Sequence, residues 1–129
     1  IADLFPERAR MLVLGTRTDR PEGGWHNTAL TISEDGVIGS HYKNRPAHFF
    51  DDGIAGREIG AFDSPIGRIA TPVCLDCAYT AVAGRMVLDG ASVIIAPSMD
   101  AESWTERQHE QHAIVEDQFL GGGRLIECL

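Results

Sequence analysis

Apolar residues along this chain gather in short runs that end at glycine, proline or Asp-Gly, which predicts several strands and few helices. Met11-Leu12-Val13-Leu14 followed by Gly15 reads as a short buried strand, because four apolar residues stop at a breaker. Asp19 to Trp25 reads as a loop. Thr28 to Ile32 and Val37 to Tyr42 then flank Ser33-Glu34-Asp35-Gly36, where Asp-Gly supplies the positive-φ turn that a β-hairpin requires. Lys43 to Arg57 carries no period and holds Pro46, two glycines and the pair Asp51-Asp52, so it is expected to be an exposed loop.

A second hairpin is predicted from Ile59 to Asp63 and Arg68 to Val73, around Ser64-Pro65-Ile66-Gly67. Between Tyr79 and Leu88, Val82, Met86 and Val87 suit one face of a helix that Gly90 ends. Ser92 to Ala96 is a strand closed by Pro97, and a polar helix is expected from Glu102 to about Gln118, with Asp100 or Ala101 near its start and Gly121-Gly122-Gly123 after it. Hairpin, loop, hairpin, helix, strand, helix is the order of an α/β (α+β) domain, with a mixed sheet and helices packed on one face.

Composition narrows the function classes. The 129 residues suit one core, and 43% hydrophobic with 23% charged residues is ordinary for a soluble globular domain. A formal charge of −8 is the wrong sign for binding nucleic acid or an anionic membrane surface. No apolar stretch approaches the roughly 18 residues of a spanning helix. Cys74, Cys77 and Cys128 are too few, and odd in number, for a secreted disulfide framework, so reduced thiols are expected. The sequence opens at Ile1 without a leader-type segment and stops at Leu129 just after Leu125-Ile126, so residues 1–129 read as one truncated domain.

Cys74 ends the apolar run Ile69-Ala70-Thr71-Pro72-Val73 just before a predicted helix. A strand-to-helix elbow exposes a nucleophile and offers backbone N–H groups with no helical acceptor, here that of Leu75, which can hold an oxyanion. The same electropositive turn favours the thiolate, the reactive species. Lys43 ends the first hairpin, and its ammonium is placed to steady a tetrahedral anion at a cleft.

These residues sit in blocks that resemble the nitrilase, or carbon–nitrogen hydrolase, superfamily. Gly36 to Lys43 resembles its turn glycine, strand and Tyr-Lys ending at a catalytic lysine. Phe62-Asp63-Ser64-Pro65-Ile66-Gly67-Arg68-Ile69 with Cys74-Leu75-Asp76 resembles the F-D-T-x-x-G-R-x-G … C-Y-D block around its cysteine, and Gly90-Ala91 through Pro97 resembles the G-A-x-x-x-x-x-P that follows. Phe49-Phe50-Asp51-Asp52-Gly53 with Gly56, and Ser98-Met99-Asp100 with Trp104, are similar to the branch that includes apolipoprotein N-acyltransferase.

The resemblance implies an αββα sandwich, often completed by pairing into a homodimer, and a Glu-Lys-Cys triad without cofactor. In that triad the cysteine, Cys74, takes an acyl group as a thioester, and Lys43 steadies the intermediate. The substrate would be a small-molecule or lipid-derived amide, and the product is set by water or an acceptor amine. Phe5-Pro6-Glu7 spells the family's base motif, yet only Arg8-Ala9-Arg10 separate it from the next strand. Either the chain has lost a helical unit or the base lay upstream of Ile1. Asp51 is the nearest counterpart of a second family glutamate, and the R-A-x-E-N-G signature expected beyond His112 is missing. Tyr79 and Trp104 are candidate linings of an acyl pocket. The compartment stays open between the cytoplasm and the soluble part of a membrane-tethered protein.

Two other readings compete. A missing base forfeits about 10²–10⁴ in rate, which would leave a family-derived binding module. Cys74-x-x-Cys77 with His109-x-x-His112 also offers four zinc-type ligands, although 31 residues separate Cys77 from His109, more than a finger allows.

Overall fold

The computed structural model describes residues 10–99 and the backbone of residues 124–128. Strands β1 (Leu12–Asp19), β2 (Trp25–Ser33) and β3 (Gly36–Tyr42) form an antiparallel sheet in that order. β1 pairs with β2 from Leu12 opposite Ile32 to Asp19 opposite Trp25, so the first strand runs well past Gly15. Thr16 and Thr18 suit a pleated strand, and Gly15 serves a close approach instead of a stop: a Cβ there would lie 3.3 Å from Cβ of Pro97. The residues after Asp19 form a tight turn in which Arg20 and Gly24 are joined by a 3.0 Å backbone hydrogen bond. The second turn is the predicted one, with Gly36 at φ +120° and the Asp35 N–H donating to Ser33 Oγ at 3.2 Å.

The second sheet is mixed. Strands β4 (Phe62–Ser64) and β5 (Gly67–Ala70) pair antiparallel, while β6 (Val93–Pro97) and β7 (Arg124–Cys128) join in parallel, in the order β4-β5-β6-β7. The predicted second hairpin is shorter than expected because Thr71-Pro72-Val73 leave the ladder: Pro72 has no N–H, and that of Val73 is taken by the Asp76 carboxylate. A 3-10 helix (Cys74–Ala78) and helix α1 (Thr80–Leu88) carry the chain from β5 to β6. The predicted helix Glu102 to Gln118 lies outside the described residues.

Alternation along the strands places the layers. Ala70, Ile94 and Ala96 join Cys77, Val82, Ala83 and Met86 in one buried cluster beneath α1. Ile69 and Ile95, on the opposite face, are buried as well. That face meets the first sheet, where β1 touches β6 at Gly15 and β3 touches β4 at Gly39. The described residues thus supply three layers, sheet, sheet and helix, of the expected four-layer sandwich.

Gly39 is a packing requirement, since a Cβ there would sit 2.4 Å from the Phe62 ring. Gly39→Val is expected to cost about 1–3 kcal/mol by overpacking the sheet interface. Urea unfolding would show it, with part of the loss recovered in a Gly39→Val, Phe62→Leu double variant.

Candidate functional site

Val73 is extended, at φ −106° and ψ 112°, and Cys74 then turns to φ +46°. Cys74 is the only non-glycine residue with positive φ among the described residues. Such a backbone typically costs about 1–2 kcal/mol for a residue with a Cβ and persists only where its surroundings impose it. Here the turn is held on both sides, because the Asp76 N–H donates to the Val73 carbonyl at 3.0 Å and Val73 N–H to Asp76 Oδ2 at 3.2 Å. Cys77, one turn on, is sealed in the core at 5% exposure while Cys74 is half-buried. The predicted elbow is present, with a 3-10 turn in place of an immediate α-helix.

Lys43 departs from the exposed loop predicted for it. Its N–H extends the β2–β3 ladder by donating to the Asn27 carbonyl at 2.8 Å, and its side chain is only 2% exposed. Nζ lies 2.6 Å from Oδ2 of Asp52, itself buried. Asp52 also accepts from Asn27 Nδ2 and from the Ala47 N–H, each at 2.7 Å. Burial works against ionising this carboxyl, but the hydrogen bonds from Lys43, Ala47 and Asn27 outweigh it and hold the group below its ordinary value. The carboxylate beside the lysine is therefore Asp52, and the assignment to Asp51 is corrected. Asp51 faces outward, with Trp25 Nε1 at 3.4 Å and the Gly53 N–H at 3.3 Å, because only Asp52 turns into the loop closed through Ala47.

Asp76 joins the segments that carry the two candidates. It is fully buried, and its Oδ1 accepts from the N–H groups of Asn44 at 3.0 Å and Arg45 at 2.8 Å. Its Oδ2 accepts from the Val73 N–H and from His41 Nε2 at 2.9 Å, a contact that places the ring hydrogen on Nε2. Lys43 is thus flanked by donors to a carboxylate that stands two residues after Cys74. The sequence motifs contain Asp76, His41 and Asp52 without giving any of them a task, and Asn27 lies outside those motifs. An acid two residues after the predicted elbow was the available signal for Asp76; Asn27 and Asp52 gave none, because only the tertiary fold makes them neighbours of Lys43.

The remaining candidates divide. Leu75 is half-buried in the first turn of the 3-10 helix, where backbone N–H groups lack helical acceptors. Tyr79, 39% exposed, precedes α1 and lies under the Arg45 guanidinium, 4.9 Å from the ring centre. Glu7, Trp104, His109 and His112 lie outside the described residues. Among the described residues no three His, Cys, Asp or Glu side chains are grouped to hold a metal, and Cys77, one of the four zinc-type ligands, is buried in the core. A cleft of about 800 Å³ runs along β3 and residues 54–62, lined by His26, His41 and Tyr42 among others but by neither Lys43 nor Cys74.

Arg68, in the motif around the cysteine, is structural: it reaches Asp63 at 3.2 Å and the Asp89 carboxylate and carbonyl at 3.2 and 2.7 Å, tying the β4–β5 hairpin to the end of α1.

No protein-family model and no curated protein matches the sequence. Solved structures do match in fold. A carbon–nitrogen hydrolase from Helicobacter pylori superposes with a TM-score of 0.76 at 23% identity, over 91% of this chain and 44% of its own. A Saccharomyces cerevisiae protein of branch 10 of the nitrilase superfamily gives 0.71 at 20%, over 89% and 45%. An amidase from Nesterenkonia gives 0.68 at 18%, over 92% and 47%. The fold is of the nitrilase type, and the chain spans under half the length of each of these three proteins. None of these three is described as an apolipoprotein N-acyltransferase.

Proposed function

We propose that this chain carries the nucleophile and the oxyanion-stabilising lysine of a cysteine-dependent carbon–nitrogen hydrolase acting on amide-type substrates. One observation carries the reading. Asp76 couples a strained half-buried cysteine to the segment of a buried lysine, a combination that core packing alone does not call for. The fold supports it, and in a glutamate-to-glutamine mutant of the Nesterenkonia amidase acrylamide adds to the active-site cysteine.

The Cys74 sulfur attacks the carbonyl carbon as its proton passes to a carboxylate base, the role that the family resemblance gives to a glutamate for which Glu7 is one of two alternatives. The carbonyl π electrons move to oxygen, and the Lys43 ammonium with the Leu75 N–H stabilises that oxyanion. Collapse breaks the C–N bond, the proton goes to the departing amine, and a thioester remains on Cys74. Water then breaks the C–S bond, giving the acid and the free thiol; an acceptor amine in its place would make the reaction an acyl transfer.

Intact mass measurement after incubation with a panel of amides and active esters tests the proposal. The expected result is a single acyl adduct on Cys74, absent in Cys74→Ala. Adducts that persist in Cys74→Ala would overturn it.

A further inference from the structure

Lys43 and Asp52 neutralise each other in the interior, so this pair does not gather an anion from solvent. Arg45 differs. Its backbone N–H is fixed on Asp76 Oδ1 at 2.8 Å, and the exposed guanidinium lies over the Tyr79 ring. Both anchors belong to the 3-10 turn that follows Cys74 or to the residue just after it. Arg17, Arg20 and Arg68 each engage a carboxylate, whereas the Arg45 guanidinium pairs with none among the described residues. Its donors remain open above the residue that ends the turn begun by Cys74, in a chain whose formal charge of −8 would otherwise repel anions. Stacking on an aromatic ring orients a guanidinium while leaving its N–H edge available for a carboxylate.

We infer that Arg45, steadied by Tyr79, is a specificity residue that selects acyl substrates carrying a carboxylate on the acyl portion. This rests on Cys74 being the nucleophile. Selection of this kind acts before any chemistry, by holding the anionic end of the acyl group while its reactive carbon reaches sulfur.

The test uses two alkylating reagents of matched size, iodoacetate and iodoacetamide, and reads modification of Cys74 by peptide mass spectrometry. The measured quantity is the ratio of their second-order rate constants in the full chain. Arg45→Gln is expected to lower the iodoacetate-to-iodoacetamide ratio by about tenfold, the scale of one charge-assisted hydrogen bond. Tyr79→Leu should lower it less, and added salt should lower it in the wild type only. An unchanged ratio in Arg45→Gln would overturn the inference, and an unchanged ratio in Tyr79→Leu would remove the ring from it. Alkylation needs no turnover, so the two readings fail separately. A ratio that falls in a chain forming no acyl adduct leaves anion selection standing and ends the hydrolase proposal. Cys74 inert to both reagents ends both.

Discussion

Lys43→Met is expected to destabilise the protein by about 3–5 kcal/mol at neutral pH, the usual consequence of leaving one member of a buried ion pair uncompensated. Methionine fills nearly the same volume, so cavity formation contributes little. What changes is the fate of Asp52, which keeps hydrogen bonds from Asn27 and the Ala47 N–H but loses its cation. The pH dependence separates this cause from general damage. In the wild type the folded-state value of Asp52 is depressed. Its contribution is therefore complete above the unfolded-state value and fades as pH falls through the folded one. In Lys43→Met burial dominates and the folded-state value rises, so the same group destabilises increasingly as pH climbs. The stability gap between wild type and variant should accordingly be small in acid and open toward neutrality. Chemical denaturation across that range would measure it, and a gap independent of pH would refute the ion-pair account.

Legibility in the sequence followed the range of the interactions. The Ser33–Gly36 hairpin is set by two adjacent residues and was readable, as were α1 and the elbow at Cys74, where an apolar strand meets a helix start. The length of β1 was not, because Gly15 signals a stop locally and only contact with Pro97 shows why glycine belongs inside the strand. The second hairpin was overextended because nothing nearby shows that the Val73 N–H is taken by Asp76. Lys43 illustrates the limit most clearly. Its role was suggested by a motif, yet burial of its charge depends on a carboxylate nine positions away in a loop without period, and the neighbouring Asp51 looked equally suitable.

The fold explains why the two halves of the proposed site need a connector. Lys43 follows β3 in the first sheet and Cys74 follows β5 in the second, so their relative placement depends on how one sheet sits upon the other. Sheet interfaces of small residues such as Gly39 and Ala29 fix the spacing but give little directional restraint. Asp76 supplies direction, since its acceptors are filled by N–H groups from both sheets' connecting segments and by the His41 ring.

Asp76→Asn should therefore damage chemistry more than its near-identical shape suggests. An amide keeps one acceptor oxygen and turns an NH₂ toward groups that are themselves donors, leaving at least one buried N–H unpaired at about 1–3 kcal/mol each. The Asn44–Arg45 segment loses its fixed relation to the elbow, and displacement of about 1 Å between reacting groups can cost 10²-fold in rate. Acylation of Cys74 is expected to slow by about that factor, measured well below the unfolding midpoint of each variant so that loss of folded protein does not enter. His41→Phe removes a single donor and should slow it less. Asp76 touches no substrate in this account; it is a positioning residue, and its effect should appear in the acylation rate of folded protein and in the Arg45-dependent reagent ratio alike. Folded Asp76→Asn that acylates at the wild-type rate would show that the carboxylate serves the fold alone.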